Sequence, residues 1–552
     1  MVEPHRYYNA IKTSSNSIRC YDERMRVYLL ALLAAVVSGQ EIRFRNEGIP
    51  FVLENSPTPR KHIIETMAGG AVAFDFNNDG LPDIFFANGA ALPALRKDSS
   101  KYWNRLFRND GNWKFTDVTE QAGLRGEGYS TGVAAADFNN DGHVDLFAGG
   151  VFRNHLYRNR GDGTFEDVTA KSGIKSDRWN VAAGWFDFDN DGLLDLFVVN
   201  YAKWDLSFDR YCGDAARNLR LYCHPKYFEP ISNQLYRNRG DGTFEDVTIK
   251  SGIGKHAGRG MSVAFADYDG DGLMDAFVTN DNLPNFLFRN QGGGKFEEVA
   301  LQAGVALLDT GKPVASMGAD FRDVDNDGLP DISVTALFGE TFPFFRNLGK
   351  GQFQDANYSS KLGAASVKWS GWSNGFYDFD NDGWKDLFTA NAHVNDLVEK
   401  TEATVYRQKN AVFRNLGKGQ FREVDAGLDS ARAHRGAAFA DFDRDGRVDV
   451  VVSALGEEGE LWRNVSDNQN RWLNIRLIGR KSNRDGIGAV VKVNGQTNHM
   501  TSAVGYASSS HDGVHFGLGN RKTAEIEVRW PDGRVTHLAR QETNRVLTIK
   551  ED

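Results

Sequence analysis

Seven acidic stretches carry the residues best suited to chemistry. Each has an oxygen-bearing side chain at positions 1, 3, 5 and 9 and Gly at position 6. They are Asp75, Asn77, Asp79 and Asp83; Asp137, Asn139, Asp141 and Asp145; Asp187, Asp189, Asp191 and Asp195; Asp267, Asp269, Asp271 and Asp275; Asp323, Asp325, Asp327 and Asp331; Asp378, Asp380, Asp382 and Asp386; and Asp441, Asp443, Asp445 and Asp449. Such a pattern suits a hard dication: calcium takes about six to eight oxygen ligands, and the chain must turn sharply around it. An EF-hand closes its site with Glu at position 12. Here position 12 is Phe86, Ala148, Val198, Val278, Val334, Thr389 and Val452, so Asp at position 9 must close the site and the carrier reads as strand, loop, strand. About seven Ca2+ sites are expected. The five loops with four Asp should bind more tightly on charge than the two with Asn77 and Asn139. Crowded carboxylates repel, so calcium should stabilise the fold by linkage.

The elements that position these loops repeat with them. An apolar run enters (Gly132-Val-Ala-Ala-Ala-Asp137) and another leaves (Asp145-Leu-Phe-Ala). A run ending in Arg-Asn follows (His155-Leu-Tyr-Arg158-Asn159), then a Gly161 to Gly163 turn and a fourth run, Thr164-Phe-Glu-Asp-Val-Thr169. The third run recurs at Leu106–Asn109, Leu235–Asn238, Leu287–Asn290, Phe345–Asn347, Phe413–Asn415 and Leu461–Asn464. Seven four-stranded units without helical periodicity predict an all-β fold, a seven-bladed β-propeller, over residues 40–466. The last unit lacks its fourth strand, and Glu41-Ile-Arg-Phe-Arg-Asn is the segment expected to supply it. From Arg471 a different alternation predicts a small all-β domain over 467–552, with strands near Arg471–Leu477, Ala489–Val493, Glu525–Trp530 and Arg545–Ile549.

The 552 residues are 41% hydrophobic and 25% charged, a globular composition, with 58 Gly and 13 Pro marking many turns. Seven bound dications would more than offset the formal charge of −9, so that charge does not argue for a cationic partner. No basic run interleaved with aromatics is present, which argues against nucleic-acid binding. Residues 25–39, a basic start and an apolar run from Val27 to Val37 followed by small residues, predict a signal peptide preceded by an extension or a mis-assigned start at 1–24. Its removal leaves no membrane span. It also takes Cys20, leaving Cys212 and Cys223 as an even pair in an exported chain, expected to form a disulfide. A metal reading of that pair fails, because the two are eleven residues apart with His224 alone nearby.

Two insertions break the period. Tyr201–Ser232 holds both cysteines, Tyr211, Tyr222, His224 and Lys226, and reads as a pinned cover that could carry function. His393–Gln408 reads as a polar surface loop. Three motifs are decoys. Gly371-Trp-Ser373-Asn-Gly375 has the spacing of a hydrolase nucleophile elbow but leads into the Asp378 loop rather than a helix. Arg160-Gly-Asp162 and Arg239-Gly-Asp241 occupy the repeated hairpin turn. Ser508-Ser-Ser510-His511 places hydroxyls near an imidazole in sequence only.

The acidic loops, together with Leu-Tyr-Arg-Asn and Gly-Asp-Gly-Thr-Phe-Glu-Asp-Val-Thr, resemble FG-GAP or VCBS repeats, the blades of integrin α-subunit propellers. His515-Phe-Gly-Leu-Gly519 and Trp530-Pro-Asp-Gly533 resemble the ASPIC/UnbV domain. The resemblance covers nearly all of the chain after residue 40. It implies an exported calcium-binding protein, secreted, periplasmic or at the cell surface, acting in adhesion or surface interaction without an established reaction. The leading expectation is a non-enzymatic binding module for an extracellular protein or glycan. The alternative is a carbohydrate-active enzyme of polysaccharide-lyase type, which would need Lys, Tyr, His or Arg gathered on one propeller face, with Tyr201–Ser232 as their supplier.

Overall fold

A computed structural model describes residues 41–552; the expected leader at 25–39 and the extension at 1–24 lie outside the described residues. Each acidic loop joins the two inner strands of a four-stranded antiparallel unit. In the second unit Tyr129–Ala136, Asp145–Val151, His155–Asn159 and Phe165–Asp167 pair in that order. The same order recurs in the units that begin at Ala71–Phe74, Asn180–Phe186, Gly260–Ala266, Ala319–Arg322 and Gly371–Tyr377. The seventh unit, His434–Ala440, Asp449–Ala454 and Glu460–Asn464, takes Phe44–Asn46 as its outer strand, with Phe44 opposite Asn464 and Asn46 opposite Trp462. The innermost strands touch one another in cyclic order, the first unit meeting both the second and the seventh. The fold is a β-propeller.

Alternation fails on the inner strands, which are buried on both faces. Large aromatics fill the gaps between neighbouring sheets instead, as where Phe186 stacks on Phe265 at 4.5 Å between centroids. After the fourth strand several units make one helical turn. Thr119–Ala122, Thr169–Ser172, Thr248–Ser251 and Ala300–Ala303 each end on a left-handed glycine.

The C-terminal region forms two further sheets. One orders Gln496–His499, Val490–Val493, Thr523–Arg529 and Val535–Glu542; the other orders Val514–Gly519, Arg471–Ile478 and Arg545–Lys550. Its remaining strands do something the sequence did not announce. Ala503–Val504 and Ser508–His511 form a hairpin that enters the propeller axis, where Ser508–His511 runs parallel to Ala71–Phe74. The Ser508, Ser509 and Ser510 hydroxyls accept the N–H groups of Ala71, Ala135 and Phe439, one from each of three inner strands. At the tip Gly505 adopts φ +56°, and a Cβ there would lie 2.1 Å from Ser373 Oγ. Tyr506 is fully buried: it packs edge-on against Trp372 and donates its hydroxyl to Met67 O at 2.7 Å.

Deleting residues 42–50 should strand an unpaired edge on the seventh unit and yield aggregation with a lower Tm; a soluble truncation with the parent Tm would contradict the closure. Tyr506→Ala should cost roughly 3–5 kcal/mol of stability by emptying the axis. Tyr506→Phe should cost about 1 kcal/mol, one buried hydrogen bond. Equal stability of the two variants in thermal or denaturant unfolding would refute the tip's role as a plug.

Candidate metal centres and the opposite cavity

Within each loop, backbone geometry aims the oxygens inward. Position 6 is a left-handed glycine in every loop, and position 4 is left-handed as well, at Asn78, Asn140, Asn190, Gly270, Asn326, Asn381 and Arg444. The position-1 carboxylate accepts the position-6 N–H, as in Gly142 to Asp137 and Gly446 to Asp441, and position 5 accepts the position-7 N–H, as in Leu193 to Asp191. Position 9 has both oxygens committed. Asp145 accepts Phe138 N and Asn159 N, and Asp449 accepts Phe442 N and Asn464 N. The same pair of bonds holds Asp83, Asp195, Asp275, Asp331 and Asp386.

Position 3 differs. In the loops with Asn77 and Asn139 the side-chain amide donates to Asp79 and Asp141. In the all-aspartate loops Asp189 Oδ1, Asp269 Oδ1, Asp325 Oδ1 and Asp443 Oδ1 are buried without a hydrogen-bond partner. A buried acceptor left unpaired is costly, and these oxygens lie where a cation would be held. Ligand atoms of Asp187, Asp189 and Asp195, of Asp323, Asp325 and Asp331, of Asp378, Asp380 and Asp386, and of Asp441, Asp443 and Asp449 gather within 4.8 Å of one another. In the fourth loop the gathered set is Asp267, Asp269 and Asp271. These clusters could hold a metal ion.

Burial pushes the loop carboxyls upward: Asp323 and Asp380 to about 6, Asp187 to about 7, Asp137 to about 7 with the nearby Asp485 charge adding, and Asp83 and Asp441 to about 8. Burial also raises Asp145, Asp195, Asp275, Asp331, Asp386 and Asp449 well above the ordinary range.

The arginine of the Arg-Asn strand alters the charge comparison between loops. Arg237 contacts Asp189 and Asp191, Arg346 contacts Asp325, Arg414 contacts Asp380 and Asp382, and Arg463 contacts Asp443. In the loops with Asn at position 3 the equivalent Arg108 and Arg158 turn to Asp110 and Glu166. Four of the five extra aspartates thus come with a guanidinium, and the simple ranking by aspartate count does not describe the net charge at these loops. The asparagine of the same strand links neighbouring units. Asn159 Nδ2 donates to Phe76 O of the preceding unit, Asn238 to Phe138 O, and Asn109 of the first unit to Phe442 O of the last at 2.9 Å.

The C-terminal region sits over these loops. Asp485 accepts Asp137 N, Asp512 accepts Asp441 N, and Arg529 contacts Asp267 at 3.0 Å. At the opposite ends of the inner strands the insertion covers the axis, pinned by the Cys212–Cys223 disulfide. The Tyr222 hydroxyl donates to Glu65 and Tyr201 to Asp281. The base of 393–408 is not a free surface loop, since His393 and Val398 are buried. Beneath this cover lies a cavity of about 270 Å³ whose lining includes Met67, Tyr222, His224, Met261, Asp281, Met317, Glu340 and His393. No Lys or Arg lines it, and of the residue types a lyase would use it gathers Tyr222, His224 and His393.

The decoys resolve structurally. Ser373 lies within the strand Gly371–Tyr377 and its hydroxyl accepts Tyr506 N. Asp162 and Asp241 each accept the N–H and hydroxyl of a threonine two residues on, fixing the hairpin turn. His511 pairs with Asp485 at 3.0 Å. Among the described residues no helix is long and apolar enough to cross a membrane.

A model of the FG-GAP-like repeat matches residues 75–148, 150–198, 229–278, 267–334, 323–389 and 402–452, and a model named ASPIC and UnbV matches 479–552. Cartilage acidic protein 1 of Mus musculus is 27% identical over 338 residues, covering 58% of this chain and 49% of that protein. The Xenopus tropicalis protein is 28% identical over 331 residues, with shares of 56% and 48%. The chain thus spans about half the length of these curated relatives. A solved Agrocybe aegerita lectin that recognises non-reducing terminal N-acetylglucosamine aligns with TM-score 0.37 and 17% identity over 71% of this chain and 87% of its own. YCF48 bound to a D1 peptide aligns with TM-score 0.42 and 8% identity over 78% and 100%. The repeats account for most of the propeller, and the chain belongs to the FG-GAP-like repeat family, with an ASPIC and UnbV domain at its C-terminus.

Proposed function

We propose that the protein is an exported calcium-binding propeller that serves as a binding module for an extracellular protein or glycan. The observation that carries the calcium reading is the set of buried, unpartnered position-3 oxygens beside the gathered position-1 carboxylates. An all-oxygen donor set with a flexible turn favours calcium over a softer metal. The residues named at positions 1, 3, 5 and 9 of all seven loops are the proposed ligands, with Asp at position 9 also bracing the loop through its two backbone bonds. Calcium would supply the positive charge that lets buried carboxylates stay ionised. The Cys212–Cys223 bond supports an oxidising compartment, and the likeness to cartilage acidic protein 1 supports an extracellular setting. Function then falls to the irregular loops over the axis, since the acidic loops face the C-terminal region.

The charge state gives the first test. A carboxyl whose folded pKa is raised binds more protons folded than unfolded, so its stabilising contribution is fully present below about pH 4 and is lost as pH rises through about 6–8. His499 and His515, held by burial at about 3 and about 4, act oppositely below about pH 6.5. In chelator, Tm should therefore fall between pH 6.5 and 8.5. Millimolar calcium should raise Tm and flatten that slope. A Tm indifferent to calcium at pH 8 would sink the calcium reading. For the partner, immobilised protein with calcium should retain a glycan or a surface protein without altering it, while release of unsaturated products from a polysaccharide panel would identify a lyase instead.

A further inference from the structure

The cavity opposite the acidic loops has a chemistry of its own. We infer that it is a binding site for a primary alkylammonium group, carried either by a lysine side chain or by a free amine. The inference deepens the reading of this face as the binding face and rests on it.

The floor is apolar and adaptable. Met67, Met261 and Met317 line it together, and unbranched thioether side chains fit themselves to an alkyl stem. The charged lining is of one sign. Asp281, Glu340 and Glu402 contribute carboxylates and no Lys or Arg lines the cavity, the nearest cation acting on them being Arg259, which reaches Asp281 from behind the wall and leaves Glu340 and Glu402 unmatched. Burial pushes His224 and His393 downward, favouring the neutral imidazole in both.

The two deeper carboxylates are fixed in advance. Asp281 accepts the Tyr201 hydroxyl at 2.8 Å and Asn282 Nδ2 at 2.9 Å. Glu340 Oε2 accepts Ala315 N at 3.0 Å and Leu337 N at 3.1 Å, while Oε1 makes no hydrogen bond among the described residues. Burial raises Glu340, and the neighbouring Asp281 charge adds to that rise; a cation beside both would relieve the repulsion.

Other ligands fit less well. Anions meet carboxylates. A metal ion would need the ligand atoms drawn together, and among the described residues the sets close enough to hold one all lie in the acidic loops. A sugar wants an open aromatic face, but Trp372 is 1% exposed with Arg435 over its ring. A volume of about 270 Å³ suits a short alkyl chain rather than a polymer.

The test is isothermal titration of the full chain in calcium with n-pentylammonium and with 1-pentanol, matched in shape and differing in charge. The ammonium should bind about 10-fold or more tightly than the alcohol, the worth of one charge-assisted hydrogen bond. Glu340→Gln should remove that preference at unchanged Tm. Glu402→Gln, at an exposed position on the rim, should reduce it by a smaller factor and tests the charge requirement if the Glu340 variant misfolds. Equal affinity for the two probes, or no binding of either by protein of normal Tm, would overturn the inference. Nα-acetyl-lysine-N-methylamide separates the sources: affinity matching pentylammonium assigns a partner's lysine, and binding of the free amine alone assigns a small molecule. Partner capture that persists without amine binding strikes this inference alone, whereas amine binding without any captured partner strikes the broader reading.

Discussion

The aspartate at position 9 and the asparagine of the third strand are the joint on which the structure depends. The carboxylate takes one N–H from the start of its own loop and one from the asparagine, holding the loop against the third strand. The asparagine side chain then reaches the carbonyl of the preceding unit. One buried pair therefore shapes the loop, ties it to its sheet and ties that sheet to its neighbour. Each bond is modest on its own. Repeated around the ring, with Asn109 reaching Phe442 O, they make every unit a condition for the next.

This joint explains what could be read from the chain. Repetition made the acidic loops, the Arg-Asn strands and the borrowed outer strand Phe44–Asn46 legible, because each unit corroborated the others. Repetition did not reveal what the asparagine does, since its acceptor lies in another unit, 83 residues away for Asn159. The arginines were opaque for the same reason: Arg237 and Asp189 are 48 residues apart. Charge counted along the sequence overstated the difference between loops.

The axial hairpin was illegible for a different reason. Ser508-Ser-Ser510 looks like a solvent-facing run, and polarity usually signals exposure. Here the buried hydroxyls face inner strands and accept their N–H groups. A polar segment inside the molecule answers a polar wall. The C-terminal region is consequently no separate appendage: it occupies the axis with Tyr506 and covers the acidic face with Asp485, Asp512 and Arg529. The face opposite the acidic loops bears the disulfide-pinned cover, whose buried Tyr201 and Tyr222 donate to Asp281 and Glu65.

The borrowed outer strand also sets an order of events during folding. Units whose strands follow one another in the chain can assemble from contacts that are local in sequence. The pairing of Phe44 with Asn464 closes a loop spanning nearly the whole propeller, and such non-local contacts come with the greatest loss of chain entropy. The axial hairpin lies still later in the chain. A chain emerging from its N-terminus must therefore keep a short, edge-seeking segment unpaired until Glu460–Asn464 appears. Its charged residues Arg43, Arg45 and Glu47 are the kind that discourage a waiting strand from pairing with the wrong neighbour.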